Sequence, residues 1–440
     1  MLRPLVLPLI AVAVAACRAP QPAPSPPTEH RWLAGDHHIH SRFPVGWDDS
    51  VDPPSPIVAG DAIYPIPMNA LMAQSYGLAW MVTTDHGGPN HSKVSLELAY
   101  PELLESRRVV PGLVQFFGLE LDPPAAEHAS LIMPHGHDEA ARLYDIESRF
   151  SRRDAWPADP ARNRPSLMLD ALRTMRSQTP PPVVIVNHPS RSATAPGVYG
   201  ANDPAELRDW NDAAPEVAVG MEGAPGHQAS TLAPDGSLEP GSARGGYGRH
   251  PTHGGFDQMT ARLGGFWDSM LGEGRRWWIT STSDSHVHWR EGGADFWPGE
   301  YSKTYVWAPR TYDGILDGIR GGRVFVTTGD LISELYVTAR SGADRADIGE
   351  SLSVASGATV EVTIRFRDPE GANARGDAPL VARVDLISGL VTGVRPDRSA
   401  DTNVSTRVVG RWTAADWSSD GPYRSVTYVW ENVTADAYVR

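Results

Sequence analysis

The chain has 440 residues, with 39 lysines and arginines against 53 aspartates and glutamates, which gives a formal net charge of −14. This balance argues against a nucleic-acid partner, because phosphate binding depends on clustered basic side chains. A hydrophobic content of 41% is typical of a soluble globular protein, and the length predicts two or three domains.

The N-terminus has the pattern of an export signal. Arg3 is followed by an apolar stretch over residues 5–16, which is too short to span a bilayer. The stretch ends in Val14-Ala15-Ala16-Cys17, which resembles a bacterial lipobox, so we expect residues 1–17 to be a lipoprotein signal with a lipid anchor at Cys17. The alternative is that Cys17 is only a small residue near an ordinary cleavage site. Cys17 is the only cysteine, so no intramolecular disulfide is expected.

A proline-rich tether over residues 18–29 follows this signal. Residue 18 is Arg and not Asp, and the resemblance to lipoprotein sorting signals then favours the outer membrane. We therefore predict an exported cell-envelope lipoprotein on the periplasmic side of the outer membrane, held there by its lipid.

Residues 30–330 alternate between short apolar runs and segments with helical periodicity. Helices are predicted over 68–76, 166–177 and 256–272, and two long segments without a steady period, 189–215 and 224–255, are predicted to cover a pocket or to be surface insertions. This alternation is typical of an α/β fold with parallel strands joined by crossovers. If the strands close into a barrel, the residues that follow them form a common rim.

Histidine or acidic residues end several of the apolar runs. In Asp36-His37-His38-Ile39-His40, the alternation places His38 and His40 on one face of a strand. Taken alone, such a peptide is also compatible with a chance His-rich turn. Because the pattern recurs, it favours a metal site; the remaining residues of this kind are His86, Glu120, His188, Asp284 and His286.

Residues 331–440 have a different pattern. Alternating polar and apolar residues predict strands over 334–338, 358–366, 380–387 and 425–430, separated by turns rich in Gly, Pro and Asp. We expect a small C-terminal β-sandwich domain.

The motifs of residues 30–330, taken in order, resemble those of the PHP (polymerase and histidinol phosphatase) superfamily of metal-dependent phosphoesterases. They are Asp36-x-His38-x-His40, Thr84-Asp85-His86, Gly118-Leu119-Glu120, His128, Asn187-His188-Pro189 and Asp284-x-His286. Segments around 255–268, 277–280 and 323–327 resemble the exported carbaryl-hydrolase-like branch. The fold that this resemblance implies is a distorted (β/α)7 barrel.

The resemblance also implies a polynuclear metal site with two or three divalent ions. The first metal would be held by His38, His40, Glu120 and Asp284. Glu120 would bridge to a second metal, completed by His128 and His188. His86 and His286 would bind a third metal with a residue of the loop after His40, for which we choose Asp48, with Asp49 as the alternative.

The chemistry of these residue types fits this interpretation. Imidazoles and carboxylates suit zinc, manganese or iron, and a metal-bound hydroxide is a nucleophile near neutral pH. Glu120 and Asp284 would be the catalytic carboxylates, and Arg191 would clamp an anionic substrate oxygen, although a solvated loop arginine is equally compatible with the sequence. Asp36 and Asp85 are expected to orient imidazole N–H groups.

The function predicted from the sequence is hydrolysis of a phosphate ester in a small-molecule substrate. Hydrolysis of a carboxyl or carbamate ester by the same metal site is the first alternative, since substrate choice depends on the covering loops. The second alternative is a non-catalytic envelope lipoprotein that binds metal or glycan.

Overall fold

The computed structural model describes residues 29–43, 46–195, 197–225, 247, 255–369 and 371–440. The predicted signal, all of the predicted tether except residue 29, and nearly all of the 224–255 segment lie outside the described residues. Among the described residues, no helix combines the length and apolar character needed to cross a membrane.

The first part of the chain alternates strands and helices. Its strands are β1 (Arg31–Ile39), β2 (Gly46–Asp48), β3 (Ser55–Ile57), β4 (Trp80–Thr83), β5 (Val114–Leu121), β6 (Ala129–Ile132), β7 (Val183–Val186), β8 (Ala218–Pro225), β9 (Trp278–Thr282), β10 (Ser302–Ala308) and β11 (Val324–Thr328). Its helices are α1 (Ile66–Ser75), α2 (His91–Val94), α3 (Tyr100–Val109), α4 (Glu139–Phe150), α5 (Pro165–Arg176), α6 (Pro204–Ala213), α7 (Gln258–Ala261), α8 (Phe266–Gly272) and α9 (Tyr312–Arg320).

Nine of these strands form one mixed sheet that is nearly closed, like a barrel. The strand order is β11-β10-β1-β4-β5-β6-β7-β8-β9. The chain after β9 returns to β1, where the backbone N–H of His40 donates to the carbonyl of Ser285 at 3.1 Å and that of Asp284 donates to the carbonyl of His38 at 3.0 Å. The α/β class and the barrel-like sheet predicted from the alternation are therefore confirmed.

The sheet does not have the strand number and directions of the distorted (β/α)7 barrel that the family resemblance implies. β6 pairs antiparallel with both β5 and β7, and β10 pairs antiparallel with β1 and β11. For β6 the reason is the connection over residues 122–128, which is too short for the crossover that a parallel strand requires. The sheet thus has nine strands of mixed direction.

The helix predictions are confirmed in two places and wrong in one. α1 and α5 match the predicted 68–76 and 166–177, but the predicted helix over 256–272 is divided into α7 and α8. The first helix ends at Ala261, because Arg262 adopts an extended conformation, and Gly264 with φ of +71° then turns the chain toward α8. The segment 189–215 contains α6, whose N-terminus is capped by the Asp203 carboxylate accepting from two backbone N–H groups.

The C-terminal part consists of two antiparallel sheets. Its strands are β12 (Glu334–Ser341), β13 (Asp344–Ala346), β14 (Ala358–Arg367), β15 (Arg383–Leu390), β16 (Arg407–Thr413), β17 (Ser418–Asp420), β18 (Tyr423–Val433) and β19 (Ala437–Val439). The five-stranded sheet has the order β13-β12-β14-β18-β17 and the three-stranded sheet the order β16-β15-β19. Val362, Ile364 and Val426 of the first share an apolar cluster with Leu386 of the second. The period-two pattern thus correctly predicted antiparallel strands here.

A buried ion pair joins these sheets to the barrel-like part. Asp268 of α8 is fully buried and accepts two hydrogen bonds from the Arg440 guanidinium, at 2.6 and 2.8 Å. The Tyr438 hydroxyl donates to the same carboxylate at 3.0 Å. A buried carboxylate needs this compensation, so the contact fixes how the three-stranded sheet sits against α8.

We expect Gly35→Ala to destabilise the protein, because a Cβ at Gly35 in β1 would overlap the indole of Trp80 in β4. Trp80 is fully buried and its Nε1–H donates to the Leu33 carbonyl, so the ring cannot move aside. The free energy of unfolding, measured by chemical denaturation, should fall by about 2 to 3 kcal/mol. Gly46→Ala is the control, since the nearest atom to its Cβ would be 3.7 Å away, and its change should stay below about 1 kcal/mol. Equal effects of the two substitutions would contradict this account.

Candidate metal centre

Most of the predicted ligands lie at one edge of the barrel-like sheet. β1, β5, β7 and β9 run in the same direction, so their C-terminal ends meet there, and these strands end at or near His38, Glu120, His188 and Asp284. β6 runs in the opposite direction, and His128 directly precedes it. A residue before an antiparallel strand therefore reaches the same edge as residues after parallel strands.

The centre of the site is a close contact of two imidazoles and two carboxylates. The Nε2 atoms of His38 and His40 are 3.0 Å apart, and each lies within 3.1 Å of Oδ1 of Asp284. Oε1 of Glu120 is 3.0 Å from Nε2 of His38. All four residues are buried, with at most 2% of any of them exposed to solvent.

Glu120 joins this group to a second one. Its Oε1 is 2.9 Å from Nδ1 of His128 and 3.1 Å from Nε2 of His188. His86 approaches the other oxygen, with Nε2 3.9 Å from Oε2. Four overlapping sets of three residues have donor atoms within 4.8 Å of one another: His38/His40/Glu120, His38/His188/Asp284, Glu120/His128/His188 and His40/His86/His286.

The atoms that meet at Nε2 of His38 are better arranged to bind a cation than to hydrogen-bond to one another. Nδ1 of His38 is 2.6 Å from Oε1 of Glu222, so the Nδ1–H donates to this carboxylate. In the neutral ring, Nε2 would present a lone pair to the oxygens of Glu120 and Asp284, which also carry lone pairs, so this arrangement needs either a proton or a cation at Nε2. Metal–ligand bonds of about 2.0–2.2 Å would place neighbouring ligand atoms about 3 Å apart, as they are here. These buried groups therefore form a site that can hold divalent cations.

The charges around His38 support the same conclusion. Burial disfavours a charged ring, but Asp284, Glu120 and Glu222 outweigh it and raise the pKa of His38 well above its usual value. Burial likewise acts to raise the pKa of Glu120, whereas His128 and His38 lower it to well below its usual value. The carboxylates thus stabilise positive charge at this position, and a metal ion would replace the proton.

Two of the candidate ligands have a backbone conformation that is unusual outside glycine. His188 has φ of +25° and Asp284 has φ of +48°. His188 is held by its N–H, which donates to Oε2 of Glu222 at 2.6 Å, and Asp284 by its N–H, which donates to the His38 carbonyl. Strain of this kind is typical of functional sites whose surroundings fix the side-chain position.

The third group contains a carboxylate that the sequence analysis missed. Oδ2 of Asp61 is 3.2 Å from Nε2 of His86 and 3.7 Å from Nε2 of His286. The hydrogen bond with His86 and the nearby His286 lower the pKa of Asp61 to about 2, against a smaller opposing effect of burial. Asp61 is thus ionised and suited to bind a cation together with the two imidazoles.

The structure does not bring Asp48 to this group. Asp48 ends β2, and its carboxylate accepts hydrogen bonds from the backbone and side chain of Ser50. After Arg42 the chain passes through the β2–β3 hairpin, which closes where the N–H of Ala59 donates to the Arg42 carbonyl at 2.8 Å. Asp49, the alternative, is exposed next to it. The segment after His40 does supply an acidic residue to the group, but this residue is Asp61, which follows the β2–β3 hairpin.

Asp36 and Asp85 have a different role from the one expected. Asp36 accepts from the backbone N–H groups of His38 and Ser283, both at 3.0 Å. Asp85 accepts from the N–H and hydroxyl of Ser41. Both carboxylates therefore fix the backbone at or next to the candidate ligands, and neither has a hydrogen bond to an imidazole among the residues that the structure describes.

Glu222 and Asn187 are among the side chains that contact the candidate ligands from outside the donor sets. Glu222 bonds His38, and Nδ2 of Asn187 donates to Oε1 of Glu120 at 3.0 Å. The sequence carried a signal for Glu222, since it interrupts the apolar run of β8 and a buried acid in such a run needs a partner.

Arg191 lies beside the site. Its guanidinium donates to Oε2 of Glu127 at 3.0 Å and keeps 29% of its side-chain surface exposed. Burial acts to lower its pKa, but Glu120, Glu127 and Asp284 raise it. Arg191 is therefore a permanently charged group close to the candidate ligands and open to solvent.

The chain was compared with known proteins. No protein-family model matches it, and no curated protein is significantly similar to it.

We expect Glu222→Gln to weaken metal binding, because an amide cannot accept from the His38 Nδ1–H and the His188 N–H with the strength of a carboxylate. Metal affinity, measured by competition with a chelator, should fall about 10- to 100-fold. Glu139→Gln is the matched control: Glu139 is equally buried but pairs with Arg107 away from the site. Unchanged affinity in the Glu222 variant would show that Glu222 does not support the site.

Proposed function

We propose that the protein is a metal-dependent hydrolase that cleaves phosphate esters. The observation that carries the proposal is the shared position of Glu120, whose carboxylate belongs to two of the buried donor sets. A single closed structural site needs four ligands, and the eight residues gathered here exceed that number; they are His38, His40, His86, Glu120, His128, His188, Asp284 and His286.

The side chains have separate tasks in this proposal. His38, His40 and Asp284 would hold one cation, His128 and His188 a second, and Glu120 would bridge the two. When bound, two or three zinc, manganese or iron ions supply an activated water near neutral pH and Lewis acidity toward the ester oxygen. Glu222 and Asn187 keep the ligands oriented.

Arg191 favours a phosphate ester as the substrate. Its charged guanidinium is close to the candidate ligands and partly exposed, so it can donate to a non-bridging phosphate oxygen. The second candidate is a carboxyl or carbamate ester. The pairing of Arg191 with Glu127 favours this second candidate, because Glu127 already neutralises the positive charge that would otherwise attract a phosphate.

The wider proposals rest on the sequence motifs. We propose that residues 30–330 form a metallohydrolase domain of the PHP type, that residues 331–440 form a β-sandwich domain, and that the protein is exported and anchored through lipid at Cys17. The barrel-like sheet with ligands at one edge and the two antiparallel C-terminal sheets support the first two.

The test combines metal analysis with activity. The purified protein, loaded in turn with zinc, manganese and iron(II), should retain two or three ions per chain and hydrolyse a chromogenic phosphomonoester or phosphodiester. Glu120→Gln should lose at least one ion and lower kcat at least about 1,000-fold, because it removes the bridging charge. The reference variant is Glu105→Gln, which changes an exposed acid that pairs with the exposed Arg108. Retained metal with no hydrolysis of phosphate, carboxyl or carbamate esters would support the non-catalytic alternative instead.

Arg191 separates the two ester classes. Arg191→Met should raise KM for a phosphomonoester about 10- to 100-fold, because a charge-assisted hydrogen bond is lost. KM for an uncharged carboxyl ester should change less than about threefold, since that substrate carries no anionic oxygen in the ground state. If both KM values change equally, Arg191 is not a phosphate clamp.

A further inference from the structure

A second cleft lies between the barrel-like sheet and the five-stranded sheet. It has a volume of about 570 Å³, within the range of small-molecule sites. One wall comes from β1, β10 and the start of β11, and the other from β12 and β13. Trp32 lines the cleft near the beginning of β1, whereas His38 is near its end. Six residues of strand separate them by about 20 Å, so the cleft is distinct from the metal centre.

Three side chains form a row across one face of the barrel-like sheet. Trp32 pairs with Trp307 in the β1–β10 register, and the N–H of Trp307 donates to the carbonyl of Arg323 at 2.9 Å. Directly opposite residues on antiparallel strands point to the same face, so the two indoles and the guanidinium stand side by side. All three are partly exposed, and they form a platform of two rings with a charged group at its end.

Tyr336 of β12 closes the platform from the other sheet. Its ring lies 5.6 Å from that of Trp307 and 6.2 Å from that of Trp32, both edge to face. A Cβ at Gly349 would overlap the Gly321 carbonyl, which shows that the backbones of the two walls touch beside the cleft. The aromatic groups are thus held by strands and tight backbone contact, so the cleft is largely preformed.

The polar groups of the cleft supply both donors and acceptors. Two guanidinium groups and two carboxylates balance in charge; they belong to Arg323, Arg345, Asp347 and Glu350. Arg345 pairs with Asp347 at 2.7 Å, but Arg323 has no carboxylate within 4.0 Å among the described residues. A ligand with several hydroxyl groups would satisfy these donors and acceptors together.

We propose that this cleft binds a neutral oligosaccharide. The faces of the indole rings carry negative charge density and would attract the C–H groups of a sugar ring, while the charged side chains bond its hydroxyls. The neutral sum of the four charges favours an uncharged sugar over an acidic one. The site would hold glycan at the opposite end of β1 from the candidate metal centre, without contributing to hydrolysis.

The test uses calorimetric titration of the whole protein with three neutral oligosaccharides, cellohexaose, maltohexaose and N-acetylchitohexaose, and with an acidic oligogalacturonate. At least one neutral sugar should bind. Trp307→Ala should weaken its binding at least about tenfold, while Trp307→Phe should keep it within about threefold, because a phenyl ring preserves the stacking face. Trp156→Ala, at an exposed tryptophan outside the cleft, should leave the affinity unchanged.

Three results would overturn the proposal: no neutral sugar binds at millimolar concentration, only the oligogalacturonate binds, or Trp307→Ala binds as tightly as the unmodified protein. The Phe variant guards against loss through misfolding, since it keeps the packing of the ring. Metal content and ester hydrolysis should be unchanged in all three variants. Failure of the sugar site would therefore leave the proposed hydrolase untouched.

Discussion

The hydrogen bond between His38 and Glu222 is the contact on which the metal centre depends. It joins β1 to β8 across the barrel-like sheet, and the other oxygen of Glu222 fixes the backbone at His188. Because this bond uses the Nδ1–H of His38, Nε2 is the ring nitrogen that faces Glu120 and Asp284. Buried groups of this kind repel unless a proton or a cation lies between them, so the fold favours metal binding.

The direction of the strands explains why these groups meet. Parallel strands deliver the residues that follow them to one edge, and the antiparallel β6 delivers His128 from its beginning. Positive φ angles at His188 and Asp284 then turn the chain so that the side chains face inward. The hydrogen bonds of the barrel-like sheet thus offset the backbone strain that is needed to bring the carboxylates and imidazoles together.

The two ends of β1 support two different kinds of chemistry. His38 and His40 at its end belong to a buried polar centre, whereas Trp32 near its beginning lies in an aromatic cleft against β12. The C-terminal sheets therefore contribute one wall of the cleft and are fixed to the barrel-like part by Asp268 and its partner Arg440. In this arrangement an enzyme centre and a glycan site would share one rigid strand.

The sequence by itself determined the α/β class, the antiparallel C-terminal strands and the ligand types that gather at the site, because period and residue chemistry are local properties. The tertiary structure decided the rest. Asp61, and not the predicted Asp48, lies beside His86, because the β2–β3 hairpin separates the first histidines from the segment that reaches the site. Asp36 accepts hydrogen bonds from backbone N–H groups and not from an imidazole among the described residues. The directions of the strands and the pairing of Glu222 with His38 depend on contacts between residues far apart in the chain. A local sequence pattern does not encode such contacts.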